Sequence, residues 1–246
     1  TCRGDVPGKV ADLAELAGFA RPYNHSQIED GATIARHIEL LGADAYNGFG
    51  YLTGTGTWDH VVIQGNALEA CQASTSGSPA EAFVPDMLEL ATLIGSDVSG
   101  THANFVLWQT WPISPEDTSF YPASIASAGA MEAETRSNYF SARNLMLARS
   151  VAGSAHVARA GEAFGELGFN AALYDGDWLN ASPLGQTLSA MVLFTEIYRI
   201  NMRDSGVTWQ AASVAGWTTA DETEWNAMVF AADRVHRYRG LLIGVE

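Results

Sequence analysis

The segment DGDWLNASPLG, residues 175–185, gathers several side chains able to do chemistry. Asp175 and Asp177 stand two apart. Carboxylates this close can hold a hard cation through oxygen ligands, or one can cap a helix while the loop is solvated. Trp178 lies between them and the next helix, and Trp108 and Trp111 stand near the end of an apolar run. Aromatic rings at such places stack on a sugar or an acyl group, or simply pack in a core. Core packing suits Trp108, and Trp178 is the best candidate for ligand contact. Ser182 followed by Pro183 reads as a helix N-cap with proline at the first helical position. The six histidines show no HxxxH spacing, so no zinc site and no cofactor is expected. His25 precedes a glycine turn at Gly31 and is a candidate to line a pocket, whereas His102 reads as structural. Cys2 and Cys71 could pair in an exported protein, and two cysteines are too few to fix the compartment. Cys2 as a nucleophile is a weaker reading, because no histidine base is indicated beside it.

The chain has 246 residues, of which 47% are hydrophobic and 17% charged. That composition belongs to a globular protein with a sizeable core. The 28 acids against 13 bases give a net charge of −15, and Lys9 is the sole lysine. Phosphate binding needs clustered Lys and Arg, so nucleic acid is disfavoured as a partner. The acidity reads more simply as solubility. No run of 18 apolar residues exists, so no membrane-spanning helix is expected. A leader removed before Thr1 would fit a secreted or periplasmic protein.

Helix and strand signals alternate along the chain. Pro7, Val10, Leu13, Leu16 and Ala17 predict a helix closed by Gly18. An extended piece follows at 21–26. Asp30 is expected to cap a helix through Ile34, Ile38 and Leu41 that closes at Gly42. WDHVVIQ, residues 58–64, predicts a strand buried on both faces. Pro79 opens a helix to about Ile94, and ANFVLWQTW, residues 103–111, predicts a second strand. A proline-rich loop leads into a helix over about 128–151, and a short strand is expected at 155–160. Further helices are predicted over 184–203 and 221–237. Strands alternating with such helices predict a parallel sheet covered on both faces, with ligands beyond the carboxyl ends of the strands. No repeat or linker divides the chain, which predicts one domain over 1–246.

Three loops follow the expected strand ends: the turn at Gly31, Gln64-Gly65-Asn66, and the 175–185 segment. The order DVPGKVADLAELAG, DGATIARHI, WDHVVIQGN, VLWQTW, HVARAGEAF and DWLNASPLGQTLSAMVLFTEIY resembles the SGNH/GDSL hydrolase superfamily, and within it a bacterial subfamily of unassigned function. The resemblance covers roughly residues 5–235. It implies a three-layer αβα sandwich with a central parallel sheet, the flavodoxin-like SGNH fold. It also implies hydrolysis of a small ester or an acylated carbohydrate. On this resemblance Gly31 supplies a backbone donor to an oxyanion hole, and Asn66 a side-chain donor from the Gln64-Gly65-Asn66 block. Asp177 matches the acid of a D-x-x-H motif, in which aspartate orients histidine and histidine activates serine. Gln64, Gly65, Trp111, Trp178 and His25 are the candidate substrate-binding residues.

The chain departs from that pattern at two points. Asn180 stands three residues after Asp177, where the family has its histidine, and an amide cannot take the serine proton near neutral pH. The family's first strand, ending in Gly-x-Ser, precedes the segment matching 1–8 and has no counterpart there. GLLIGVE, residues 240–246, could be that strand displaced by circular permutation, or a frayed end; alternatively, the strand lies upstream. Two functional readings therefore stand: a small-ester hydrolase, or a non-hydrolytic binding protein on the hydrolase scaffold. A third, carboxylate chemistry by Asp177 and Glu246, ranks below both.

Overall fold

The computed structural model describes residues 5–26, 28–29, 31–42, 58–71, 79–97, 104–121 and 124–241. They group into two compact units. The first contains residues 25–110 and 133–158. Its three strands are β1 (His60–Ile63), β2 (Asn104–Trp108) and β3 (Ser154–Ala158). They pair in parallel in the order β1-β2-β3, with His60 opposite Asn104 and Asn104 opposite Ser154. β1 and β2 lie within the apolar runs that predict them, and β3 overlaps the short strand expected at 155–160.

β2 is buried from Phe105 to Trp108, as the central strand of a parallel sheet requires. β1 departs from the expected burial on both faces. Ile63 is buried, but Val62 is 42% exposed. Double-sided burial belongs to a strand with neighbours on each side, and β1 is an edge strand among the described residues. Helices α2 (Ile34–Gly42), α3 (Ala67–Cys71), α4 (Pro79–Asp97) and most of α5 (Ala128–Ala148) complete this unit. Phe83, Met87, Phe105, Leu107, Tyr139, Met146 and Val157 form its core.

The second unit contains residues 2–24, 111–132 and 159–246. Asp5 caps α1 (Val6–Leu16) by accepting the Gly8 N–H at 2.8 Å. Gly18, at φ +83°, turns the chain away in the left-handed conformation a glycine adopts freely. α1 packs on α7 (Pro183–Tyr198), which packs on α9 (Glu222–Leu241). Two short helices, α6 (Ala160–Glu166) and α8 (Trp209–Val214), have no counterpart in the sequence reading. The extended piece at 21–26 forms no named strand.

The helix expected over 184–203 ends at Tyr198. Arg199 takes a left-handed backbone, φ 59°, and the chain enters a 3-10 turn at Met202–Asp204. Asp233 on α9 holds that turn, accepting the Met202 N–H at 2.5 Å and the Arg203 Nε at 2.6 Å. At the C-terminus, Gly240 and Leu241 are the last residues of α9. Residues 242–246, and with them the displaced-strand expectation, lie outside the described residues. So do Cys2, Asp30 and His102.

Candidate functional site

The Gly31 turn and the 64–66 block meet in the first unit. Gly31, at φ +74°, makes a turn that L side chains rarely adopt. Asn66 follows β1 and starts α3. Its Nδ2 donates to the Gly31 carbonyl at 3.3 Å, and its Oδ1 accepts the Leu68 N–H at 2.9 Å. Gly65 donates its N–H to the Tyr139 hydroxyl at 2.9 Å. A Cβ on Gly65 would come within 2.6 Å of the Phe83 ring, so the close approach requires glycine. Burial pushes the Tyr139 hydroxyl pKa far up, so it stays protonated. Gln64 is half-buried and His25 is exposed.

Glu69 was not among the sequence candidates. It lies 3% exposed, three residues after Asn66. Its carboxylate accepts the Ile34 N–H through both oxygens, at 2.9 and 3.1 Å, and the Asn66 N–H at 3.4 Å. Asn66-x-x-Glu69 is a capping box, and that spacing was the available signal. Burial, opposed by those two backbone donors, lifts its pKa from 4.5 to about 7, with Asp86 adding repulsion.

This lift sets a pH dependence of stability. An unfolded glutamate releases its proton near 4.5, whereas folded Glu69 keeps it to about 7. The folded state therefore holds the extra proton between those values, and stability falls as pH rises across that window, by up to about 3 kcal/mol. Thermal melts between pH 4.5 and 7.5 should show this fall, and Glu69→Gln should remove it. An equal slope in both proteins would assign the effect to other groups.

In the second unit Asp177 grips Asn180. Asp177 Oδ1 accepts the N–H groups of Leu179 at 3.1 Å and Asn180 at 2.9 Å, and Oδ2 accepts Asn180 Nδ2 at 2.6 Å. A carboxylate facing an amide demands its N–H side, which fixes the amide's orientation. Asn180 is 5% exposed, and its Oδ1 is buried without a hydrogen-bond partner. The Asp177 oxygens thus serve the turn. Among the described residues no group of three or more His, Cys, Asp or Glu is placed to hold a metal ion.

Trp178 is half-buried at φ +61°, an uncommon backbone for a non-glycine residue. The turn is pinned from the 111–114 segment. Trp111 Nε1 donates to the Leu179 carbonyl at 3.0 Å, and the Ser114 N–H to the Trp178 carbonyl at 2.9 Å. Trp111 is itself 4% exposed and stacks on Phe164, centroids 5.3 Å apart and planes 10° off parallel. Its face is thereby occupied by protein. Ser182 caps α7 as expected, accepting the Gly185 N–H at 3.2 Å, and Pro183 follows it. Cys71 is a buried free thiol whose pKa burial pushes up to about 12, which makes it a poor nucleophile. Its expected partner Cys2 lies outside the described residues.

The chain is an α/β protein with a parallel sheet flanked by helices, the fold class of a three-layer αβα sandwich. Among solved structures it is similar to the crystal structure of a DUF4886 family protein from Bacteroides uniformis. The TM-score is 0.68, over 94% of this chain and 88% of that one, at 14% sequence identity. That likeness shows the fold alone. No family model matches the chain, and no curated protein matches it. No described helix is long and apolar enough to cross a membrane.

Proposed function

We propose that this chain binds a small ester or an acylated carbohydrate on an SGNH-type scaffold without serine-type hydrolysis. One observation carries the reading: Asn180, at the position where the resemblance implies a histidine base, is locked to Asp177 at 2.6 Å. Its amide nitrogen donates to the carboxylate as an imidazole N–H would, but the opposite end is a carbonyl oxygen. That oxygen accepts hydrogen bonds and cannot remove a hydroxyl proton. The Gly31–Asn66 contact brings the two turns together and spends one Asn66 amide hydrogen on the Gly31 carbonyl; the second hydrogen is the donor that would meet an acyl carbonyl oxygen. The same pairing is also what favours the rival reading, a working ester hydrolase. Fold does not decide between them, and the site must.

Calorimetric titration with an acetylated xylo-oligosaccharide, with chromatography of the mixture afterwards, tests the proposal. Saturable binding with no released acetate is the expected result. Trp178→Ala should weaken it about tenfold, since a stacked aromatic contributes on the order of 1 kcal/mol or more. Unchanged affinity in that variant would remove Trp178 from the site. Stoichiometric excess of free acetate would overturn the binding reading.

A further inference from the structure

We propose that Glu69 is the positioning residue of the Gly31–Asn66 pair: one buried carboxylate ties the starts of two helices and so sets the spacing of the two turns. The inference deepens the proposed ligand site and rests on that reading for its functional consequence. A second capping box in the chain supplies the contrast. At Asp221-x-x-Glu224, Glu224 accepts the Asp221 N–H at 2.9 Å, and Asp221 accepts the Glu224 N–H at 2.8 Å. Both residues are exposed, and the box closes on its own helix. Glu69 instead lies buried and receives the N–H of Ile34, thirty-five residues away in sequence. Ile34 opens α2 directly after the Gly31 turn, and Asn66 opens α3 directly after β1. The Asn66 Nδ2 contact to the Gly31 carbonyl then closes a ring: Gly31, Ile34, Glu69, Asn66 and back to Gly31.

A local cap needs no burial and no second helix. Burying a carboxylate is unfavourable unless its oxygens are satisfied, and here the donors that satisfy it come from both turns. The ionised side chain offers acceptors to both N–H groups. Protonation removes one acceptor oxygen and the negative charge, which weakens the hold on both N–H groups. The described titratable neighbours are few. Asp86 on α4 repels the ionised form, and Tyr139 on α5 stays protonated. On α2, His37 is lowered by burial and answers to Glu29 and Arg36. Cys71 on α3 stays a thiol. His37, held below the ordinary histidine value, gains its charge only on the acid side of that range, so loss of the clamp follows the proton on Glu69, with a midpoint of about 7.

The test uses nitrogen-15 NMR of the full chain, titrated from pH 5 to 9, with no ligand present. The Ile34 and Asn66 backbone amides should shift together with one midpoint near 7, and Glu69→Gln should abolish both transitions. Separate midpoints, or transitions that survive in Glu69→Gln, would overturn the clamp. The wild-type titration alone decides the first point, should the variant fail to fold. Affinity for the acetylated xylo-oligosaccharide should rise about tenfold between pH 6 and 8 in the wild type and stay flat in Glu69→Gln. Absence of any binding, with the amides titrating together, would sink the proposed ligand and leave the clamp standing. Binding with a pH profile identical in both proteins would show that the clamp does not act on the site.

Discussion

Replacing Trp111 with alanine should lower the stability of the fold by about 3–5 kcal/mol, the range for deleting a large buried aromatic. The Trp111 ring is 4% exposed and lies flat on Phe164, which in turn meets Tyr174 edge-on with centroids 5.5 Å apart. Its Nε1 also holds the Leu179 carbonyl. Truncation would empty the stack and release one anchor of the Asp177–Asn180 turn. The midpoint of thermal unfolding should fall by about 6–20 °C for a chain of this length. Hydrogen exchange at Leu179 and Asn180 should accelerate more than at Phe105. A fall of less than about 1 kcal/mol would mean that the ring serves a ligand surface and not the core.

Asp233→Ala should be of similar size, about 3–5 kcal/mol, because it strands the partners of a buried carboxylate. Asp233 is fully buried, and it joins α9 to the turn after α7 through Met202 and Arg203. The Arg203 guanidinium retains some solvent, which draws the expectation toward the lower end. Equilibrium denaturation by urea would measure the loss. A loss below about 1 kcal/mol would place the hold on this turn elsewhere.

This carboxylate also explains one limit of the sequence. Leu188, Met191, Val192, Phe194, Thr195 and Tyr198 mark the apolar face of α7 plainly, yet nothing local marks its end. Arg199 has no intrinsic preference for a left-handed backbone. Asp233 holds the turn that follows from more than thirty residues away. β1 and β2 were legible because VVI and FVLW are consecutive apolar residues of the kind a parallel sheet buries. What a run cannot tell is its place in the sheet, which is why Val62 on β1 emerges exposed.

The candidate residues within each unit were partly legible in the same way. The resemblance paired Gly31 with Asn66, and the two turns do meet. Asp177 and Asn180 were matched as acid and replaced base, and the two side chains do bond. Trp111 appeared as a ligand contact because its type suits stacking, while its partner Phe164 was invisible at a separation of fifty-three residues. Glu69 was missed although the Asn66-x-x-Glu69 spacing is a local signal. A capping box predicts only a helix start, and the Ile34 N–H that makes the residue unusual arrives from another helix.

Turnover of p-nitrophenyl acetate by the purified chain, read together with labelling by a fluorophosphonate, tests the central claim most directly. Neither turnover above background nor a labelled serine is expected, because Asn180 cannot act as the base. A serine labelled in proportion to lost esterase turnover would contradict it.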